Sequence, residues 1–330
     1  MSYSYDAVRA RIQNITKKTG LKPDVIYQRY FIERFIARMA ASEHNESIVI
    51  KGGMLISAMT GIDMRATKDL DATIIGNPLT KQDFEKIALD VVAVNLDDNI
   101  YYEFVRAEEI MLDNNYPCCR IHLRALLGKT NAKIEIDLTS GDAITPKEID
   151  FGFPSLFGGD KIKILAYNLE TILAEKMTAV LDLGVFNTRA KDFYDIYLLT
   201  NTLSDKFNND VLQQAFRNTI SRRKKENLLA NVQETITQTL ENQDIRRHWE
   251  KYRVEYSYAA DIEFEQIEAS MCRLFEWAGY KIKIEKPANL KDVPKTLAEK
   301  LAYNQKRVDE ADAVKVNKPN SRRNIRHDRD

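Results

Sequence analysis

The chain has 330 residues, 44% of them hydrophobic, with 49 basic and 49 acidic side chains and no net charge. That apolar content supports a buried core and excludes wholesale disorder, and the length suits about two domains. The balanced charge leaves any binding of nucleic acid or membrane to local patches.

Three cysteines without metal-like spacing and four scattered histidines leave little scope for structural zinc or a Ser–His mechanism. They fit a reduced, cytoplasmic protein. The charged start MSYSYDAVRARIQ does not read as a signal peptide. No stretch of about 18 apolar residues is present, so no membrane partner is expected.

In chain order, Val25, Ile26, Phe31, Ile32, Phe35, Ile36 and Met39 recur at helical spacing and predict a helix from Pro23 to Ala41. Asn45-Glu46-Ser47 turns the chain into a short apolar strand, Ile48–Ile50, which runs into Lys51-Gly52-Gly53. Met54–Met59 reads as a short helix. Asp69–Ile75 is a second strand, closed by Gly76-Asn77-Pro78. A helix is expected over Asp83–Val94, then strands at Ile100–Val105, Cys118–Leu126 and Ala132–Leu138. In the last of these Ile134 and Ile136 alternate with Glu135 and Asp137, the mark of a half-buried strand.

Residues 151–165, with Gly152, Pro154, Gly158 and Gly159, read as a connection. Helices are expected over 168–183, 188–201, 208–221, 224–241 and 259–278. From Pro287 the chain is charged and poor in large apolar groups, which predicts a disordered tail. The expected architecture is α+β, a mixed sheet with helices followed by an α-helical domain. The expected boundaries are 1–155, 156–286 and 287–330.

Asp69 and Asp71, at i and i+2 on one strand, share a face. Two like charges so placed call for a cation, and a hard divalent ion such as Mg²⁺ takes such oxygens. The plain alternative is a solvated strand end. Gly52-Gly53 falls where a strand becomes a helix, which suits close approach of a phosphate, or simply a tight turn. No G-x-x-x-x-G-K-[ST] pattern occurs. Asp137, on a later strand, makes a third carboxylate if the two strands are neighbours, with Glu135 as the competing ligand.

Lys176 falls within the apolar stripe of Leu169, Ile172, Leu173, Met177 and Val180. It is either a triphosphate contact or a buried ion pair. Asp192 and Asp195, one turn apart on a largely apolar helix, are its possible partners. Two basic segments are candidate RNA contacts: Arg222-Arg223-Lys224-Lys225, and Arg246, Arg247, Lys251 and Arg253 interleaved with Trp249 and Tyr252. The alternative for both is a solvated helix surface.

Together these residues resemble the AbiEii/AbiGii toxin family of nucleotidyltransferases, relatives of the DNA polymerase beta fold. The marks are Glu33-Arg34-Phe35, IVIKGGMLISAMTG, Arg65-x-Thr67-x-Asp69-Leu-Asp71, IDLTSGDAITP, LETILAEKM and RAKDFYDIYLL, in the family's order over residues 20–220.

The resemblance implies transfer of a nucleoside monophosphate from an NTP to an acceptor such as RNA or tRNA, with Mg²⁺ or Mn²⁺ and release of pyrophosphate. It implies a toxin of a bacterial toxin–antitoxin pair, linked in some members to phage defence by abortive infection. The expected partner is an antitoxin with a winged-helix domain. By residue, it implies metal ligation by Asp69, Asp71 and Asp137, with Asp137 also activating the acceptor hydroxyl. It places nucleotide contacts at Lys51, Gly52, Gly53, Arg65, Thr67 and Asp195, and gives catalytic roles to Lys176 and Asp192. The glycine pair replaces the Gly-Ser of many polymerase-beta relatives, so a Ser contact to phosphate is absent.

Three rival readings are a D-x-D glycosyltransferase, a kinase-like phosphotransferase acting on protein, and a non-catalytic nucleotide-binding regulator. The first lacks the strand–helix alternations that it needs. The last lacks its usual sign, a lost metal carboxylate.

Overall fold

A computed structural model describes residues 4–61, 69–76, 78–111 and 117–283. The expected tail from Pro287, together with Arg65 and Thr67, lies outside the described residues.

Helix α1 (Tyr5–Thr19) opens on Ser4, whose hydroxyl accepts from the Ala7 N–H, and ends at Gly20 with φ +72°. Helix α2 (Pro23–Ala41) has the expected bounds, with Pro23 in its first turn where no N–H is needed. Strand β1 (Ile48–Lys51) passes directly into α3 (Gly52–Thr60). Strand β2 (Asp69–Ile74) precedes α4 (Lys81–Ala93), where Thr80 and Asp83 form a reciprocal capping box. Three long strands follow: β3 (Tyr101–Met111), β4 (Pro117–Leu127) and β5 (Thr130–Ser140).

Residues 151–165 are more than the connection expected from their glycines. They hold parts of β6 (Ile149–Phe153) and β7 (Ile162–Ala166), which pair antiparallel. The alternating apolar side chains of these strands outweigh the loop signal of the glycines.

The seven strands form one sheet in the order β3-β4-β5-β2-β1-β7-β6. The β2–β5 and β1–β7 pairs are parallel and the other pairs are antiparallel. This is an α+β protein with a mixed sheet. Helix α2 packs against β5 and β7, and Phe31, Phe35 and Ile36 of α2 are buried with Leu70, Ile134 and Ile136 of the sheet.

Two polar anchors fix α2. Glu33 is buried and accepts from Ser155 Oγ (2.9 Å) and the Leu156 N–H (2.6 Å) in the β6–β7 turn. Arg38, also buried, meets Asp98 through a fork (2.7 and 3.0 Å) and donates to the Ile100 carbonyl. Arg34 donates to the same Asp98 at 2.7 Å.

After β7 the described chain is helical: α5 (Leu169–Leu183), α6 (Ala190–Thr202), α7 (Asn209–Arg222), α8 (Val232–Glu241), α9 (Gln243–Glu255) and α10 (Phe264–Trp277). The single helix expected over 224–241 is broken, because Lys224 takes φ +54° and Glu226–Asn231 form a 3-10 turn before α8. Sheet and helices belong to one unit ending at Lys283.

Candidate active site

The register of β2 assembles the site. Antiparallel pairing sets Lys51 of β1 opposite Asp71, and parallel pairing sets Asp137 of β5 opposite Asp71 on the other side. Asp69 lies two residues from Asp71, on the same face and opposite Glu135. The two strands are neighbours, so the three carboxylates share one face, although among the described residues their ligand atoms do not all lie within 4.8 Å of one another. Asp137 is buried, whereas Asp69 and Asp71 are partly open. Burial pushes the Asp71 carboxyl up, Lys51 opposes this, and the Asp137 and Asp69 charges push it further. Lys176 also pulls it down.

Gly52 has φ +69°, and a Cβ there would lie 1.9 Å from Asp71 Oδ2. The glycine thus serves both the backbone turn and the carboxylate packed on it. The N-cap residue of α3, Lys51, makes no side-chain cap hydrogen bond to the first turn. Gly53 is buried in that turn.

Lys51 Nζ lies 2.5 Å from Asp142 Oδ2 and 3.9 Å from Glu175 Oε1. Burial works against its charge, but Glu175 and Asp142 outweigh burial and raise its pKa. Asp142 also accepts from Tyr167 Oη (2.7 Å) and Thr139 Oγ1 (2.8 Å). Burial alone would raise the Asp142 carboxyl. The Lys51 charge and these hydrogen bonds hold it well below the usual range.

Lys176 resolves as an ion-pair centre. Its Nζ is 2.5 Å from Asp192 Oδ1 and 2.9 Å from Asp195 Oδ2, and both acids are buried. Arg189 Nε approaches Asp192 Oδ2 at 3.0 Å. Asp195 has no exposed side-chain surface, so in this arrangement it reaches a ligand only through Lys176.

The basic run at the end of α7 folds back on this region. Arg222 Nε donates to the Gly141 carbonyl, Arg223 pairs with Glu175 at 3.3 Å, and Lys225 pairs with Asp182 at 2.5 Å. Lys224 is exposed.

Of the two stacking residues expected of the second basic segment, on α9, Tyr252 is half-buried and Trp249 is not presented. Trp249 is fully buried and donates its indole N–H to the Ile262 carbonyl. Arg246 pairs with Glu265 and Glu268, Arg247 with Asp244, and Arg253 with Glu250 and Glu263. Acids on neighbouring turns pair with these three arginines, while Lys251, the fourth cation of the segment, is exposed.

Four residues of the site escaped the sequence reading: Arg120, Asp142, Tyr167 and Glu175. Arg120 of β4 stands opposite Asp137 and grips it with Nε (2.7 Å) and Nη2 (2.8 Å). The signal for Arg120 was its alternation with the buried Cys119 and Ile121. Asp142 follows Gly141, which takes φ +74° and could have marked the turn.

The donors fit a divalent ion: three hard carboxylates on one face, with the Asp71 carboxyl raised in part by the other two. Yet among the described residues the group whose ligand atoms close within 4.8 Å of one another is Glu43, His44 and Asp90. That group joins the turn before β1 to α4, whereas the candidate site lies at the Lys51 end of β1. No described helix is long and apolar enough to cross a membrane.

A mixed sheet with carboxylates on one face beside a glycine strand–helix turn is the arrangement expected of a nucleotidyltransferase. A family model described as "Nucleotidyl transferase AbiEii toxin, Type IV TA system" matches residues 34–275. The chain belongs to this AbiEii family of nucleotidyltransferase toxins of type IV toxin–antitoxin systems.

Two solved structures from Helicobacter pylori are similar in part. One, provisionally described as a nucleotidyltransferase, is 13% identical and covers 78% of this chain and 95% of its own, with TM-score 0.45. The other, JHP933, is 13% identical and covers 89% of this chain and 99% of its own, with TM-score 0.46. No curated protein matches the chain.

Proposed function

We propose that the chain transfers a nucleoside monophosphate from an NTP to a hydroxyl of an RNA acceptor, tRNA foremost, in a reaction that depends on Mg²⁺ or Mn²⁺. The bond formed joins the acceptor oxygen to the α-phosphorus. The bond broken is that from the α-phosphorus to the bridging oxygen, and pyrophosphate leaves. The observation that carries this reading is the strand register that sets Asp71 between Lys51 and Asp137, with Gly52 against its carboxylate.

Asp69, Asp71 and Asp137 would hold the divalent ions, which when bound would neutralise phosphate charge and polarise the α-phosphate. The backbone N–H groups of the first turn of α3 would receive the triphosphate. Lys176, oriented by Asp192 and Asp195, would add positive charge beside it. Asp137 would accept the proton of the acceptor hydroxyl. Arg65 and Thr67 keep their proposed place through the sequence pattern that they share with Asp69 and Asp71. The antitoxin partner is proposed to carry a winged-helix DNA-binding domain.

The test incubates the protein with Mg²⁺, total bacterial RNA and each NTP labelled at the α- or the γ-phosphate. Asp69→Asn serves as the control. Transfer of α-label to RNA by the intact protein alone is expected. Transfer of γ-label instead would replace this reading with a kinase-like one. Nucleotide binding without any transfer would favour a non-catalytic binder.

A further inference from the structure

Asp137 of the candidate metal set is held by a guanidinium fork. Arg120 stands directly across from it on β4 and takes both its oxygens, at 2.7 and 2.8 Å. A divalent ion and this guanidinium cannot both sit against the same carboxylate without strong like-charge repulsion. The geometry also offers Arg120 somewhere else to go. Its Nη1 already lies 3.6 Å from Glu135 Oε2, one step along the same face of β5.

Arg120 and Glu135 are 30% and 44% exposed, against 10% for Asp137. Moving the guanidinium from Asp137 to Glu135 therefore exchanges one ion pair for another at the solvent edge, and buries no charge. Glu135 has a further partner, His122, whose Nδ1 is 3.5 Å away. Asp69, Asp71 and Asp137 lie on one face of neighbouring strands in register.

We propose that Arg120 is a placeholder cation that guards the third metal ligand. It neutralises Asp137 in the resting protein and shifts to Glu135 when the divalent ion enters. This makes Arg120 a positioning residue and Glu135 its second seat rather than a metal ligand. The inference rests on the reading of Asp137 as a ligand.

The test measures Mn²⁺ binding by the full chain without nucleotide, from the loss of the free-ion EPR signal, with a thermal melt of each variant. Arg120→Gln removes the competing charge and is expected to bind Mn²⁺ at least about fivefold more tightly, the low end of ordinary coupling between sites. Glu135→Gln removes the second seat and is expected to bind more weakly than the parent. The double variant is expected to behave as Arg120→Gln alone, whereas a Glu135 that ligates the metal itself would weaken binding in that background too, and would overturn its assignment as a seat.

Unchanged or weaker binding by Arg120→Gln, with binding by Asp137→Asn impaired, would overturn the placeholder and leave the ligand reading intact. Binding by Asp137→Asn equal to the parent would remove the ligand reading and the placeholder with it. Should Arg120→Gln not fold, Arg120→Met carries the test, because it keeps an unbranched side chain of similar reach but removes the charge. Tighter binding supports the proposal and unchanged binding overturns it.

Discussion

Gly52 and Asp71 compete for one space: a Cβ on residue 52 would stand 1.9 Å from the Asp71 Oδ2 that fills it. Gly52→Ala therefore has two costs, a strained left-handed backbone at φ +69° and displacement of a carboxylate. Gly20→Ala isolates the first cost, because Gly20 has φ +72° and nothing within 4 Å of its would-be Cβ. Each variant is expected to lose about 1–2 kcal/mol of stability from the backbone alone. Label transfer is expected to fall by about 100-fold or more in Gly52→Ala, on the scale of losing one transition-state contact, and to persist in Gly20→Ala. Equal activity of the two variants would show that the Asp71 position does not matter.

Lys176 needs a different design. From sequence, Lys176→Ala is expected to silence the toxin and leave the fold intact. The two buried acids on its ammonium change that expectation. Truncation leaves buried carboxylates without that cation, and breaking such a set costs about 3–5 kcal/mol. A triple variant, Lys176→Met with Asp192→Asn and Asp195→Asn, is expected to recover most of the stability in urea melts and none of the label transfer. Recovery of both would make the cluster purely structural.

Much of this was legible in the chain. Helical periodicity gave α2 to the residue and α5 nearly so, while β1 was legible as a short apolar run buried on both faces. The carboxylates of Asp69, Asp71 and Asp137 could be named because strand alternation fixes facing. Whether β2 and β5 are neighbours is a matter of topology, which no local pattern carries. The residues that escaped notice act across distant sequence: Arg120 on Asp137, and Asp142 and Glu175 on Lys51. The Glu33-Arg34 pair served as a family mark. Its physical role, tying α2 to the β6–β7 turn and to Asp98, needed the packed structure.

The thiols are expected to be inert in the folded chain. Burial, with the Asp137 charge nearby, pushes Cys118 up to about 12; burial, with Glu85 nearby, pushes Cys119 to about 11. Burial, with Glu268 nearby, pushes Cys272 to about 11. At pH 8 only about one such thiol in a thousand, or fewer, is ionised, and the thiolate is the reactive form. Iodoacetamide followed by intact-mass measurement is expected to add nothing within minutes at pH 8, and three groups in urea. Rapid single labelling of the native protein would contradict this, and peptide mapping would show which cysteine is open.

The acid limb of stability is expected to come from Asp98 and Asp142. Burial acts to raise the Asp98 carboxyl, but hydrogen bonds from Arg38 and Arg34 hold it below its ordinary value, and Lys51 does the same for Asp142. Each is depressed in the folded state relative to an unfolded value of about 3.9. Their contribution is therefore complete above that value and is lost as pH falls through the lower folded values. Glu33 runs the other way. Burial raises it against the Leu156 and Ser155 hydrogen bonds, so its contribution is complete below about 4.3 and is lost as pH rises through the folded value. Urea midpoints measured from pH 3 to pH 8 are expected to fall below about pH 4 in the parent protein. Asp98→Asn is expected to lose about 3–5 kcal/mol at pH 7, because Arg38 stays buried without its charge partner, and to show a shallower acid fall. Glu33→Gln is expected to leave the acid limb in place and flatten the decline that Glu33 causes as pH rises. An Asp98→Asn variant with the parent's full acid slope would mean that the Arg38–Asp98 pair contributes no pH-dependent stability.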